Sequence, residues 1–227
     1  RLHLRNIFLL AVSWFFYYKT SGLFLLILVF ITLSDWLIAE RIHNAKIEKR
    51  ETRAKWWLTL SVVIDLGLLC YFKYAYFFTN VVNDLLGTEF VVFDIFAYIG
   101  NGLSASGRFM VDSIILPVGI SFYLFQVMSY TIDVYRGQVK PVKSILDFGF
   151  YVSFFPSLVA GPIVRANEFI PQLYRPFRLS RRLAGLAVFW ILNGLIKKIV
   201  LSDYLAINLI DRVFENPLLF SGFENLF

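Results

Sequence analysis

Three side-chain chemistries are nearly missing from this chain of 227 residues. Cysteine occurs once, at Cys70 inside an apolar run, which excludes any internal disulfide. Histidine occurs only at His3 and His43, and no Cys/His set has metal-ligand spacing, so no metal centre is expected. Charge is scarce as well: Asp, Glu, Lys and Arg make up 17% of the residues, against about a quarter in a soluble domain. The sequence also has no P-loop, dinucleotide fingerprint or serine-hydrolase elbow, and no internal repeat or low-complexity tract. These absences remove most soluble enzyme classes.

What is present is apolar surface. Hydrophobic residues make up 58% of the chain and aromatic ones 19%, a balance that calls for a lipid solvent. In lipid the backbone must satisfy its own polar groups, and apolar runs of about twenty residues do so as helices. The expected class is an all-α integral membrane protein, a multi-helix transmembrane bundle forming a single membrane domain over residues 1–227. The net charge of +6 points to topology rather than to nucleic acid, because the basic residues lie between the apolar runs. Two lie at Arg1 and Arg5, six in 41–55, three in 136–143 and five in 165–182, so sixteen of the 22 fall in four clusters. By the positive-inside trend those clusters mark cytoplasmic loops.

Taken in order, Asn6 to Tyr18 is apolar but would make only about 20 Å of helix, short for a hydrocarbon core of about 30 Å. Thr20 to Ala39 is a full span, with Asp35 read as an interfacial carboxylate beside Trp36. Glu40 to Lys55 alternates signs and reads as a solvated helix extension; His43 within it is read as solvated. Trp56 to Phe78 is the next span, with Asp65 near its middle. A carboxylate at that depth costs roughly 2.5–3.5 kcal/mol on insertion scales, so Asp65 should face the bundle interior, be paired or be protonated, which makes it a functional candidate.

Thr79 to Asp112 reads as an outer segment, rich in Asp and Glu, whose Phe90–Ile99 run lies in the interface or docks a partner. Ser113 to Ile132 is an uncharged span with Pro117 and Gly119 in its first turns. Gln126, Ser129 and Tyr130 give it a polar side, for helix packing or substrate contact. Arg165 to Arg182 reads as a solvated cytoplasmic segment or, more sharply, as an anion site for a phosphate-bearing acyl donor. Leu183 to Val200 is apolar with Lys197 and Lys198 at its far end, and Ser202 to Phe227 reads as an amphipathic interfacial helix broken at Asn216-Pro217.

The stretch that organises the chain is Phe148 to Val164, uncharged and flanked on both sides by basic residues: Arg136, Lys140 and Lys143 before it, Arg165 and Arg175 after it. If both flanks are cytoplasmic, the segment enters the membrane and turns back. Pro156 and the pair Gly161-Pro162 would break helix inside it. Irregular backbone at that depth survives only where protein or a water-filled cavity satisfies it. The reading is a re-entrant element; an ordinary kinked span is the alternative.

Four motifs carry a resemblance. They are Leu116-Pro-Val-Gly-Ile-Ser-Phe-Tyr-Leu-Phe-Gln126, Ser129-Tyr-Thr-Ile-Asp-Val-Tyr-Arg-Gly137, Tyr151-Val-Ser-Phe-Phe-Pro-Ser-Leu-Val-Ala-Gly-Pro-Ile-Val-Arg165 and Phe169-Ile-Pro-Gln172. In this order the chain resembles the membrane-bound O-acyltransferases, and within them the branch of alginate O-acetylation. Arg5-Asn6, Phe72-Lys-Tyr74, Gly194-Leu-Ile-Lys-Lys198 and Asp203 extend the similarity over most of the chain.

The resemblance implies an enzyme that passes an acyl group from a cytoplasmic donor, acetyl-CoA or another, to an acceptor outside. It also implies a bacterial inner-membrane location, a polysaccharide acceptor and a periplasmic acetyltransferase partner. No nucleic-acid partner and no bound cofactor or metal are implied. Gln126, Tyr130, Phe155, Pro156, Gly161, Pro162 and Arg165 would wall the acyl chamber, with Asp65 the intramembrane polar candidate. The family's catalytic histidine lies in a later Trp-rich segment that nothing here matches, so no catalytic residue is carried onto this chain. The expectation is the N-terminal part of such an enzyme. The other readings are a transporter or export subunit, motivated by Asp65 and the Pro156 and Gly161-Pro162 breaks, and a non-catalytic membrane scaffold.

Overall fold

In the computed structural model, residues 2–98, 114–175 and 179–215, together with Gly222, are described. They are helical throughout their regular structure, with no strand among the described residues. The chain divides into two compact units, Arg1–Arg175 and Pro176–Phe227.

The first unit opens with α1, Leu2–Ser21, whose 20 residues make about 30 Å of helix. It is longer than the apolar run alone predicts, because Leu2 to Arg5 and Lys19 to Ser21 continue the helix past both apolar limits. Gly22 then takes a left-handed φ of +58°, which ends the helix and turns the chain into α2, Leu25–Ile47. A tight turn with Lys49 at φ +57° leads to α3, Glu51–Leu86. The charged stretch 40–55 is therefore a helix–turn–helix corner, with ion pairs Lys46–Glu51 (3.0 Å) and Arg50–Glu48 (3.3 Å) at its surface.

The helix α3 runs eight residues past the apolar limit at Phe78, and Gly87 closes it with a left-handed cap. Thr79 to Leu86 is thus a helical continuation of the span that the apolar run ends at Phe78. Beyond it, Asn83 holds the turn by accepting from Thr88 Oγ1 and the Phe90 amide and donating to the Phe90 carbonyl. The Phe90 run folds back on α3: Phe96 stacks on Phe72 with centroids 5.3 Å apart, and Asp94 accepts from the Tyr71 hydroxyl. Ile99 and residues 100–113 lie outside the described residues.

The next helix, α4, spans Ile120–Tyr135 and not the twenty residues from Ser113. Pro117 to Gly119 is a turn, and Gly119 at φ +72° starts the helix. The organising stretch becomes α5, Ile145–Ser153, and α6, Phe155–Ala160, then extended backbone and α7, Ala166–Tyr174. Pro156 sits in the first turn of α6, where its missing N–H leaves no bond unmade.

Helices α2, α3 and α4 pack together, and α5 inserts between α1 and α2. Gly149 marks the insertion: a Cβ there would sit 3.5 Å from Leu10 on one side and 3.8 Å from Thr32 on the other. Lipid tails give helices little hydrophobic reason to associate, so small residues at the contacts carry the packing. Ser13, Ala39, Ala54, Ser61, Thr131 and Ser153 are all fully buried here. Tyr17, Tyr123, Tyr130, Phe148 and Tyr151 fill the space between them.

Described by itself, the second unit is a helical rod over Arg181–Glu215, long and apolar enough to cross a membrane, as are Leu4–Ile47 and Glu51–Leu86. It comprises α8, Arg181–Ile196, π-helical turns over Lys197–Asp203 and Ala206–Ile210, and α9, Asp211–Glu215. Residues 202–215 therefore continue the preceding helix instead of forming a separate interfacial one. The Lys198–Asp203 pair at 2.7 Å brings opposite charges together within the wider π turn. Asn216-Pro217 lies outside the described residues.

Candidate functional site

The hairpin 145–174 begins and ends at one end of the first unit. Its far end reaches the start of α4, where Leu158 lies against Gly119 so closely that a Cβ on Gly119 would collide with the Leu158 carbonyl oxygen. From there the chain returns: the Tyr151 hydroxyl donates to the Val164 carbonyl at 2.9 Å, and α7 packs on α5. Tyr174 then donates to Asp147 in the first turn of α5. This out-and-back path has the geometry of the re-entrant reading.

The end at which the hairpin closes is the basic end. Arg5 of the first cluster donates to the Leu173 carbonyl beside the fourth, and Lys46 of the second lies 4.3 Å from the ring centroid of Tyr135, next to the third. Arg5, Lys46 and the stretches that carry Arg136 and Arg175, far apart in sequence, thus share one end of the unit, as the positive-inside reading requires.

A cleft of about 370 Å³ opens at this end, between the loop 139–144 and α7. The loop is held from below. Trp36 Nε1 donates to the Val142 carbonyl at 2.7 Å, and the Val142 amide donates to the Tyr130 hydroxyl at 3.0 Å. Ser144 caps α5 by accepting from the Asp147 amide. Asp147 forms the back wall, 1% exposed, with one oxygen accepting from Asn6 Nδ2 at 2.7 Å and the other from Tyr174. Donating to that carboxylate, with burial as the smaller cause, pushes the Tyr174 phenol up from 10 to about 12. Pro171 lies inside α7 and has no N–H to close the turn onto the Asn167 carbonyl; both residues line the cleft. The segment 165–175 is therefore a packed helix with Leu173 buried, where the sequence reads as a solvated stretch.

The seven residues expected to wall a chamber divide into two groups. Gln126 and Tyr130 lie buried at the α4–α5 contact, Gln126 donating to the Tyr151 carbonyl at 2.8 Å and Tyr130 with its ring 4.6 Å from Phe148. Phe155, Pro156, Gly161 and Pro162 sit on the far, turning part of the hairpin, with Phe155 against Phe16 at 5.2 Å. Gly161 is required there, since a Cβ would collide with Ser157 Cα. Arg165 is exposed at the start of α7. None of the seven lines the cleft. The cleft residues Ser144, Asp147 and Tyr174 were not singled out from sequence, because a capping Ser and an Asp three residues on carry no signal beyond a helix start.

Asp65 and Asp35 form a separate polar centre. Both are 1% exposed, and they stand side by side on α3 and α2. Asp35 is thus internal and not interfacial. Ser61, one turn before Asp65, donates to Asp35 at 2.5 Å, and Thr131 of α4 lies 3.2 Å from Ser61. Both oxygens of Asp65 and the second oxygen of Asp35 lack a hydrogen-bond partner. No group of three or more His, Cys, Asp or Glu side chains with metal-holding geometry occurs among the described residues.

An all-helical membrane body with a hairpin folded back to its basic end defines the class. Comparison with known proteins then gives its relatives. The chain is 37% identical to a protein named probable alginate O-acetylase AlgI from Azotobacter vinelandii, over 89% of this chain and 37% of that protein. It is 36% identical to the protein of that name from Pseudomonas aeruginosa, over 94% of this chain and 38% of the relative. A peptidoglycan O-acetyltransferase from Helicobacter pylori matches at 27%, over 87% of this chain and 38% of the relative. No family model matches the chain, and no solved structure does. The chain spans well under half the length of the curated relatives it matches. Over most of its length the chain is thus similar to alginate O-acetylases, proteins of the membrane-bound O-acyltransferase type.

Proposed function

We propose that this chain is part of an O-acyltransferase of the bacterial inner membrane that moves an acetyl group from a cytoplasmic thioester donor, such as acetyl-CoA, towards hydroxyl groups of an exopolysaccharide. The observation that carries the reading is the ordered similarity to alginate O-acetylases over nine-tenths of the chain. The transfer breaks a thioester and forms an ester, releasing a thiol, and needs a base to accept the hydroxyl proton. That base is assigned to no residue described here.

The names of the relatives bear on the acceptor. Alginate and peptidoglycan are both glycans, and the higher identities belong to the alginate proteins, which favours an alginate-like exopolysaccharide. A periplasmic acetyltransferase is the proposed partner, receiving the acetyl group outside. The hairpin 145–174 supports the reading as a wall reaching inward from the basic, donor-facing end.

The test uses the complete gene product in proteoliposomes with radiolabelled acetyl-CoA on the basic-end side. Ester-linked label, released by hydroxylamine, is expected on acceptor glycan or on the partner protein. Uptake of a solute without any ester formation would replace this reading with a transporter.

A further inference from the structure

The cleft at the basic end has a charge arrangement that membrane orientation alone does not require. Lys140 and Lys143 lie on one wall, three residues apart, and neither pairs with a carboxylate among the described residues. The lining's one carboxylate, Asp147, is withdrawn at the back, with both oxygens occupied by Asn6 and Tyr174. The mouth is therefore net positive. Between the two lysines the backbone is fixed at Val142 by Trp36 and Tyr130, so both stems leave from a rigid support. The facing wall, Ile170 and Pro171, is apolar, and it is fixed independently through Arg5 and Tyr174. Lysines that merely set topology need neither a cavity between walls nor a pinned loop. The volume, about 370 Å³, lies within the range of small-ligand sites.

We infer that this cleft binds a phosphate ester, with Lys140 and Lys143 holding the phosphate and the Ile170–Pro171 wall covering the carbons next to it. Ammonium groups suit phosphate as point charges, and a prefixed support lowers the entropy lost on binding. Two sources share this chemistry: the phosphate-bearing carrier of a thioester donor, a choice that rests on the function proposed above, and the headgroup of an anionic lipid.

The complete gene product is placed in nanodiscs of neutral phosphatidylcholine and titrated with coenzyme A; a parallel set contains phosphatidylglycerol, whose retention is counted by native mass spectrometry. Lys140→Ala/Lys143→Ala is compared with Lys140→Arg/Lys143→Arg and with the remote Lys73→Ala, each checked for an unchanged thermal midpoint. Loss of one charge-assisted contact is about tenfold in affinity. The proposal expects the double alanine variant to weaken coenzyme A at least that far, or to lose retained phosphatidylglycerol, and the arginine pair to restore it. The first result assigns the donor as the source and the second the lipid. Unchanged binding of both probes, or equal weakening by Lys73→Ala, overturns it. Acetyl transfer by the unaltered protein is scored separately: no transfer alongside lysine-dependent lipid retention removes the acyltransferase reading and leaves the cleft assignment standing.

Discussion

Asp35 and Asp65 set the sharpest problem at the scale of single residues. Two carboxylates side by side in a lipid-embedded bundle, with three of their four oxygens unpartnered, are unfavourable unless something offsets their desolvation. Asp65→Asn keeps the shape, removes one carboxylate and offers an amide donor to Asp35. The expected thermal midpoint in detergent is equal to or above that of the parent, whereas Asp35→Ala removes the stronger of the two acceptors of Ser61, leaving Thr131, and lowers stability by about 1 kcal/mol. A lower midpoint for Asp65→Asn would mean that the carboxylate itself is used. Gly119 offers a second measurement. Its left-handed backbone alone makes Gly119→Ala unfavourable by about 1–2 kcal/mol, before the collision with Leu158 is counted, so the midpoint should fall clearly.

Tyr174 gives the pH dependence: a phenol raised to about 12 contributes stability that is complete below the ordinary value of about 10 and is lost as pH rises through 12. Stability between pH 6 and 9 should not depend on it. Above pH 10 the unaltered protein should lose stability relative to Tyr174→Phe, which chemical denaturation at each pH checks. The depth of Asp65 was legible in the sequence, since it sits mid-run. The depth of Asp35 was not, because Trp36 beside it is a residue of membrane interfaces and the helix continues two turns further than hydropathy shows.

Among the elements, α5 is the one whose position decides the others. It lies between α1 and α2, and Gly149 lets it fit against Leu10 and Thr32. Gly149→Ala should be nearly neutral, as its methyl meets ordinary contacts, while Gly149→Leu must push α1 from α2. Faster protease cleavage and hydrogen exchange in 2–21 and 145–153 are expected for the larger residue only. The breaks in the hairpin were legible because Pro156 and Gly161-Pro162 act locally. Helix limits were less so: α4 starts at Ile120 because Gly119 turns the chain there, while the apolar run starts earlier and has no mark at that point. The insertion of α5 between two helices early in the chain is a long-range contact and leaves no local pattern.

For the molecule as a whole, topology is the property that charge predicts and packing supports. In a background with Cys70 replaced by Ser, single cysteines at Lys143 and Arg175 should react with an impermeant maleimide from the same face of the membrane. Reaction from opposite faces would turn the hairpin into an ordinary span. The location of the cleft was only partly legible. The cationic loops pointed to its end of the molecule, but its walls, the loop 139–144 and α7, are held in place by Asn6, Trp36, Tyr130 and Tyr174, which only the folded chain brings around one loop.

The seat of α5 also bears on how the protein is made. Because the main partner of α1 is the later helix α5, α1 lacks most of its mature partner surface while it leaves the ribosome, whereas α2 already has α3 to pack on. The first helix must wait beside the translocon or an insertase until the hairpin is synthesised and seats against it. Nascent chains arrested before residue 145 should accordingly crosslink through position 10 to insertion machinery, and chains arrested after α7 should not.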